Sequence, residues 1–138
     1  DVRAGGRLMA DGVFPLAGGC SCRAVRYRME ARPLFVHCCH CRWCQRETGA
    51  SFALNAMIES ERVTLLSGKP EVVNTPSLSG KGHLPPDIHI FTASKQPWVV
   101  LPPGVPAVPE YYDRNQHWPQ ESLARREALL AKLAALRA

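Results

Sequence analysis

The chain has 138 residues, 46% hydrophobic and 21% charged, enough for one domain with a real core and too short for two ordinary ones. Its formal net charge of +5 is scattered, with no long basic run, so nucleic acid is not an expected partner and a small anionic substrate fits as well. No apolar run approaches the ~20 residues of a membrane span and Asp1–Leu16 lacks the apolar stretch of a signal peptide, so the expectation is no membrane and a reducing, cytoplasmic location.

Twelve prolines and ten glycines predict many turns and short strands. Asp1–Leu8 reads as an upstream extension, with Met9 as a natural start. Val25, Tyr27 and Met29 alternate with Arg26, Arg28 and Glu30, the pattern of a half-buried strand. Leu34–His37 is a second strand, leading into the cysteines. Arg42–Thr48 is predicted to form a turn or two of helix, stopped by Gly49. Further strands are expected over 51–58, 62–66 and 71–74, with a turn at Ser67–Pro70. Thr75–Pro86 is expected to be a loop. Ile88–Phe91 and Trp98–Leu101 read as short strands, and Val105–Trp118 as irregular chain.

The tail differs. Pro119 suits a first helical position, and Glu121 and Arg125 form an i, i+4 pair with the acid first. Leu123, Leu129, Leu130, Leu133 and Leu136 make an apolar stripe, so 119–137 is predicted to be an amphipathic helix. Docking on its own domain is the expected use. Pairing with a second chain, as in a homodimer, is the alternative.

All six cysteines lie between Cys20 and Cys44, and the close spacings disfavour a disulfide framework. Cys39, Cys41 and Cys44 form a C-x-C-x-x-C array. Zinc takes thiolate sulfurs at ~2.3 Å in a tetrahedron, and the two-residue gap from Cys41 to Cys44 is a chelating turn that Cys39 can complete. The fourth position is then another protein ligand, or water or substrate. Cys20 and Cys22 form a second pair, preceded by two glycines that permit a sharp turn. Several completions stay open for this pair: two later histidines among His83, His89 and His117, a merger with the second group, or no metal. The expected cofactor is one or two zinc ions per chain. Cys38 reads as a small buried neighbour, and His40 as a residue that points outward. Arg42 and Arg46 are candidates to hold a substrate carboxylate by paired hydrogen bonds, and Trp43 to wall the pocket. No clear general base stands out; His37 and His40 are the nearest.

These residues resemble a known family. Gly19-Cys20-Ser21-Cys22 with the strand that follows, Cys39-His40-Cys41-Arg42-Trp43-Cys44-Gln45 running to Thr48-Gly49-Ala50, and Asp87–Phe91 to Lys95–Trp98 look like motifs of the glutathione-dependent formaldehyde-activating enzymes, which include centromere protein V. The resemblance spans about residues 17 to 113. It implies a mainly β, Mss4-like zinc-binding fold, here with a C-terminal amphipathic helix. It implies a structural zinc held by Cys20 and Cys22 with a later C-x-x-C, and a catalytic zinc on Cys39, Cys41 and Cys44. The implied activity is that of a carbon–sulfur lyase acting on a thiol–aldehyde adduct such as S-(hydroxymethyl)glutathione. Small thiols or aldehydes, glutathione among them, are the implied substrates.

Two departures stand out. Arg23 occupies a position where glycine is usual, and the later C-x-x-C is absent: the chain passes from Lys81-Gly82-His83 to Pro85-Pro86-Asp87. A segment omitted near 82–86 is the expected explanation, and an intact mass well above 15.2 kDa is its test. The expected organisation is an extension over 1–16, a zinc-binding β domain over 17–118 and a helix over 119–138. The competing reading is a non-catalytic zinc module that binds protein or nucleic acid, for which salt-dependent DNA binding discriminates. A dithiol redox protein fits less well, because no βαβ alternation accompanies the C-x-x-C.

Overall fold

A computed structural model describes residues 14–70 and 84–138. The strand expected over 71–74, most of the 75–86 loop, His83 and the N-terminal extension lie outside them.

The fold is mainly β, as expected, and the described residues form two three-stranded sheets. β1 (Leu16–Gly19), β2 (Arg26–Met29) and β5 (Val63–Ser67) form one, antiparallel throughout with β2 central. The alternation in β2 places Tyr27 and Met29 in the interior and leaves Arg26 and Arg28 half exposed. The second sheet has β3 (Phe35–Cys39) between β4 (Ala53–Met57), antiparallel, and β6 (Ile88–Ile90), parallel. All five residues of β3 are buried, because both of its faces are covered.

On one face of β3 the core is built from Leu34, Phe35, Cys39, Ile88, Ile90 and Trp118. Phe35 stacks on Trp118 with ring centroids 5.6 Å apart. Tyr112 closes this side. Its hydroxyl accepts a 2.8 Å hydrogen bond from the Trp118 indole and lies 2.5 Å from His37 Nε2. Burial, helped by the charge of Arg114, holds His37 down at about 4, so its ring is neutral at pH 7. Burial keeps the Tyr112 phenol protonated, so the hydroxyl donates to His37 Nε2.

α1 (Arg42–Thr48) follows β3 directly and ends at Gly49, whose φ of 64° lets its N–H reach the Gln45 carbonyl at 3.0 Å. The strand expected at Trp98–Leu101 is not formed. Pro97, Pro102 and Pro103 remove ladder donors around it, and the Val99 N–H turns back to the Gln96 carbonyl. A short helix α2 (Arg114–His117) precedes α3 (Gln120–Arg137).

The apolar docking of α3 is confined to its first turns, and further along Lys132 pairs with Glu61. Ser122 is buried and Leu123 packs on the core, while Leu130, Leu133 and Leu136 are exposed. The expected Glu121–Arg125 pair is replaced by a stronger one. Arg125 donates from Nε and Nη2 to both oxygens of buried Glu59, at 2.8 and 2.5 Å, and from Nη1 to the Arg32 carbonyl at 2.9 Å. A desolvated carboxylate that accepts two parallel bonds outcompetes an exposed one on the helix surface. No helix among the described residues is long and apolar enough to cross a membrane.

Candidate metal centre

Cys39 is the last residue of β3, Cys41 is the N-cap of α1, and Cys44 lies in its first turn. This strand-to-helix corner brings the three sulfurs within 4.8 Å of one another. A tetrahedral zinc with 2.3 Å bonds sets sulfurs about 3.8 Å apart, so the donor set fits such an ion. The corner is tightened by its own backbone: the Cys44 N–H donates to Cys41 Sγ at 3.4 Å, and the Gln45 N–H to the Cys41 carbonyl at 3.1 Å.

The three thiols do not ionise alike. Burial pushes Cys39 up to about 12. Burial also raises Cys44, with Asn55 as an opposing hydrogen-bond partner. Burial opposes charge at Cys41 as well, but the hydrogen bonds from the Cys44 N–H and the neighbouring thiols bring it below its ordinary value. Cys41 is thus the thiol of the cluster that gives up its proton most readily. A divalent cation offsets the charge of all three.

Cys20 and Cys22 sit at a separate turn, with sulfurs 3.1 Å apart and Cys22 exposed. The Val25 N–H at 3.3 Å and the Cys22 side chain lower Cys20. Among the described residues no third metal-ligating side chain joins this pair, and it does not meet the 39–44 cluster. The turn is closed by Cys20 N–H to the Val25 carbonyl and Arg23 N–H to the Cys20 carbonyl. It also accounts for the expectation of a glycine at position 23. Arg23 has φ 65°, a left-handed conformation disfavoured for side-chain-bearing residues. Arg23→Gly is therefore expected to stabilise the fold by ~0.5–1 kcal/mol and raise the melting temperature by a few degrees. An unchanged or lower melting temperature would contradict this.

His40 and Trp43 differ from their sequence-based reading, and Cys38 agrees with it. His40 is completely buried rather than outward-facing, with its ring between Phe52 and His89. Cys38 is buried as expected, but beside His40 and His89 rather than beside the thiol cluster alone. Burial lowers both histidines, so they are neutral. Neither His37 nor His40 reaches solvent, which removes both as accessible bases. The signal for His40 was present in the alternation of β3 carried one residue on. The signal for His89 needed the β3–β6 pairing.

A groove runs along the neighbouring face of α1. It is lined by Arg42, Arg46, Gly49 and Ser51, with Gln96 and Trp98 across from them. Trp43 is 65% exposed and does not line it; Trp98 takes the walling position. Gln45, missed by sequence reasoning, connects the parts. Its amide nitrogen donates to the carbonyls of His40 and Ser94 at 2.7 and 2.9 Å, and its oxygen accepts from Gln96 at 2.7 Å.

The profile of the glutathione-dependent formaldehyde-activating enzyme family matches residues 15–94. The chain belongs to this family. The match covers both cysteine groups, α1 and β6, and the two small sheets are compatible with the family's Mss4-like fold. In this formaldehyde-activating family member the Cys/His groups could hold a metal ion. No curated protein matches the chain.

Proposed function

We propose that this protein is a zinc-dependent carbon–sulfur lyase that makes or breaks a thiol–aldehyde adduct of the S-(hydroxymethyl)glutathione type, in a reducing compartment. The observation that carries the reading is the three-sulfur cluster at the β3–α1 corner in a chain of this family. In the forward direction the thiol sulfur bonds to the aldehyde carbon, the carbonyl π bond breaks, and the thiol proton ends on the new hydroxyl oxygen.

Cys39, Cys41 and Cys44 would hold the ion. When bound, zinc supplies Lewis acidity for a thiolate or an aldehyde oxygen. The remaining tasks fall to the chain. Arg42 and Arg46, one helical turn apart on α1, present two cations to the groove and suit the carboxylates of a tripeptide thiol such as glutathione. The Trp98 ring offers an apolar wall opposite. The proton that leaves the thiol is taken up by water, since the nearby histidines are enclosed.

Titrating glutathione into the cobalt-substituted protein tests the proposal. The visible spectrum should change at millimolar thiol, and an unchanged spectrum counts against thiol binding at this centre. Arg42→Ala and Arg46→Ala should each raise the KM for glutathione by about tenfold, the effect of one exposed charged hydrogen bond, with little change in kcat. Unaltered KM in both variants would exclude the groove as the carboxylate site.

A further inference from the structure

Cys38, His40 and His89 meet on the face of the sheet opposite Cys39. Strand alternation puts residues 38 and 40 on one side of β3 and its extension, and 39 on the other. The parallel register sets His89 directly beside Cys38. Cys38 Sγ lies 3.6 Å from His40 Nε2, and His40 Nε2 lies 3.0 Å from His89 Nδ1. The three side chains are 2%, 0% and 5% exposed, so all are withdrawn from water. The outer ring nitrogens, His40 Nδ1 and His89 Nε2, have no hydrogen-bond partner. Buried polar groups are normally satisfied, and each one left alone costs about 1–3 kcal/mol. An ion on the inner nitrogens would leave these outer ones as N–H donors, so the case for a ligand rests on the convergence of the three inner donor atoms.

We propose that Cys38, His40 and His89 form a second metal site, for zinc or a similar borderline divalent transition-metal ion, distinct from the Cys39–Cys41–Cys44 centre. A zinc tetrahedron sets two nitrogens about 3.3 Å apart and a nitrogen and a sulfur about 3.6 Å apart. The observed 3.0 and 3.6 Å need only a small opening to admit the ion. One thiol and two imidazoles suit such metals and not calcium or magnesium, which take oxygen ligands. Charge also favours the pairing. Three thiolates outweigh one divalent ion by a single negative charge, while one thiolate leaves a single positive charge at the second site. The two centres, on adjacent residues of β3, therefore neutralise one another. The ion would pin β6 to β3, a useful clamp for a strand of three residues.

The test measures zinc per chain, with X-ray absorption at the zinc edge, on the Cys20→Ser/Cys22→Ser protein, which takes the surface pair out of the count. About two ions per chain are expected, with a mean shell of about two sulfurs and one histidine nitrogen, the average of a three-sulfur and a one-sulfur, two-nitrogen site. His89→Gln should remove one ion and the nitrogen signal. Adding Cys39→Ser instead should remove the other ion and leave the nitrogen signal. One ion in a sulfur-only shell, unaffected by His89→Gln, overturns the second site and leaves the lyase reading intact. A nitrogen-containing shell alone supports the second site and overturns the three-thiolate centre. Circular dichroism checks folding, and Cys38→Ala replaces His89→Gln if that variant does not fold.

Discussion

Cys39→Ser should empty the 39–44 centre and lower turnover of the thiol–aldehyde adduct by ~100-fold or more. Loss of an outer-shell partner already costs ~10–100-fold in metal proteins, and Cys39 is a direct ligand candidate. Its position makes the effect hard to compensate. It is 4% exposed at the end of β3, so solvent cannot easily take its place. Serine offers a harder oxygen donor whose proton is far more tightly held. The remaining pair, Cys41 and Cys44, is left with two sulfurs, too few to close a zinc site. Cys20→Ser/Cys22→Ser is the matched comparison and should leave metal at the 39–44 centre. Zinc content and turnover measured side by side decide the matter. A Cys39→Ser protein with full zinc and full activity would remove the centre from the chemistry.

Glu59→Ala should cost about 3–5 kcal/mol, because it leaves the Arg125 guanidinium largely enclosed without its partner. Arg125 is 14% exposed and Glu59 4%, so the lower end of that range is expected. The melting temperature should fall by on the order of 10 °C. Replacing both residues with apolar ones should restore much of the loss, since the penalty lies in the stranded charge. The pair also has a pH signature. Burial alone would raise the Glu59 carboxyl, but hydrogen bonds from Arg125 and the charges of Arg125 and Arg62 hold it below its ordinary value of 4.5. A lowered folded-state value means the contribution is complete above pH 4.5 and is lost as pH falls through the folded value. The gap in stability between the native protein and Glu59→Ala should therefore narrow on acidification below about pH 4.5. A gap that stays constant to pH 3 would show that Glu59 acts by packing and not by charge.

The thiol centre was legible because its ligands are local. Cys39, Cys41 and Cys44 span six residues, and a strand running into a helix makes them converge whatever the rest of the chain does. Tyr27 and Met29 were legible for a similar reason, since a period of two is a property of the strand itself. The stop at Gly49 follows from glycine's access to left-handed backbone. What failed depended on distant chain. His89 reaches His40 across 49 residues, through parallel pairing that leaves no local trace in sequence. Arg125 finds Glu59 across 66 residues, and helix spacing offered only Glu121. Trp98–Leu101 carries strand-forming side chains, but the prolines around it deny the backbone a ladder. The leucines of α3 were read as one stripe, and only the part near Leu123 meets the core.

The Gln45 side chain has a thermodynamic corollary. One amide touches the backbone beside the thiols, the Ser94 carbonyl and the Gln96 amide, so the thiol cluster and the groove share a mechanical support. Whatever rigidifies one end lowers the ordering cost at the other. Ion and thiol ligand should then bind with positive cooperativity, and reciprocity requires the same factor in both directions. Calorimetry of glutathione binding with and without zinc would measure that factor, and Gln45→Ala should lower it, leaving the part that comes from direct contact between thiol and ion.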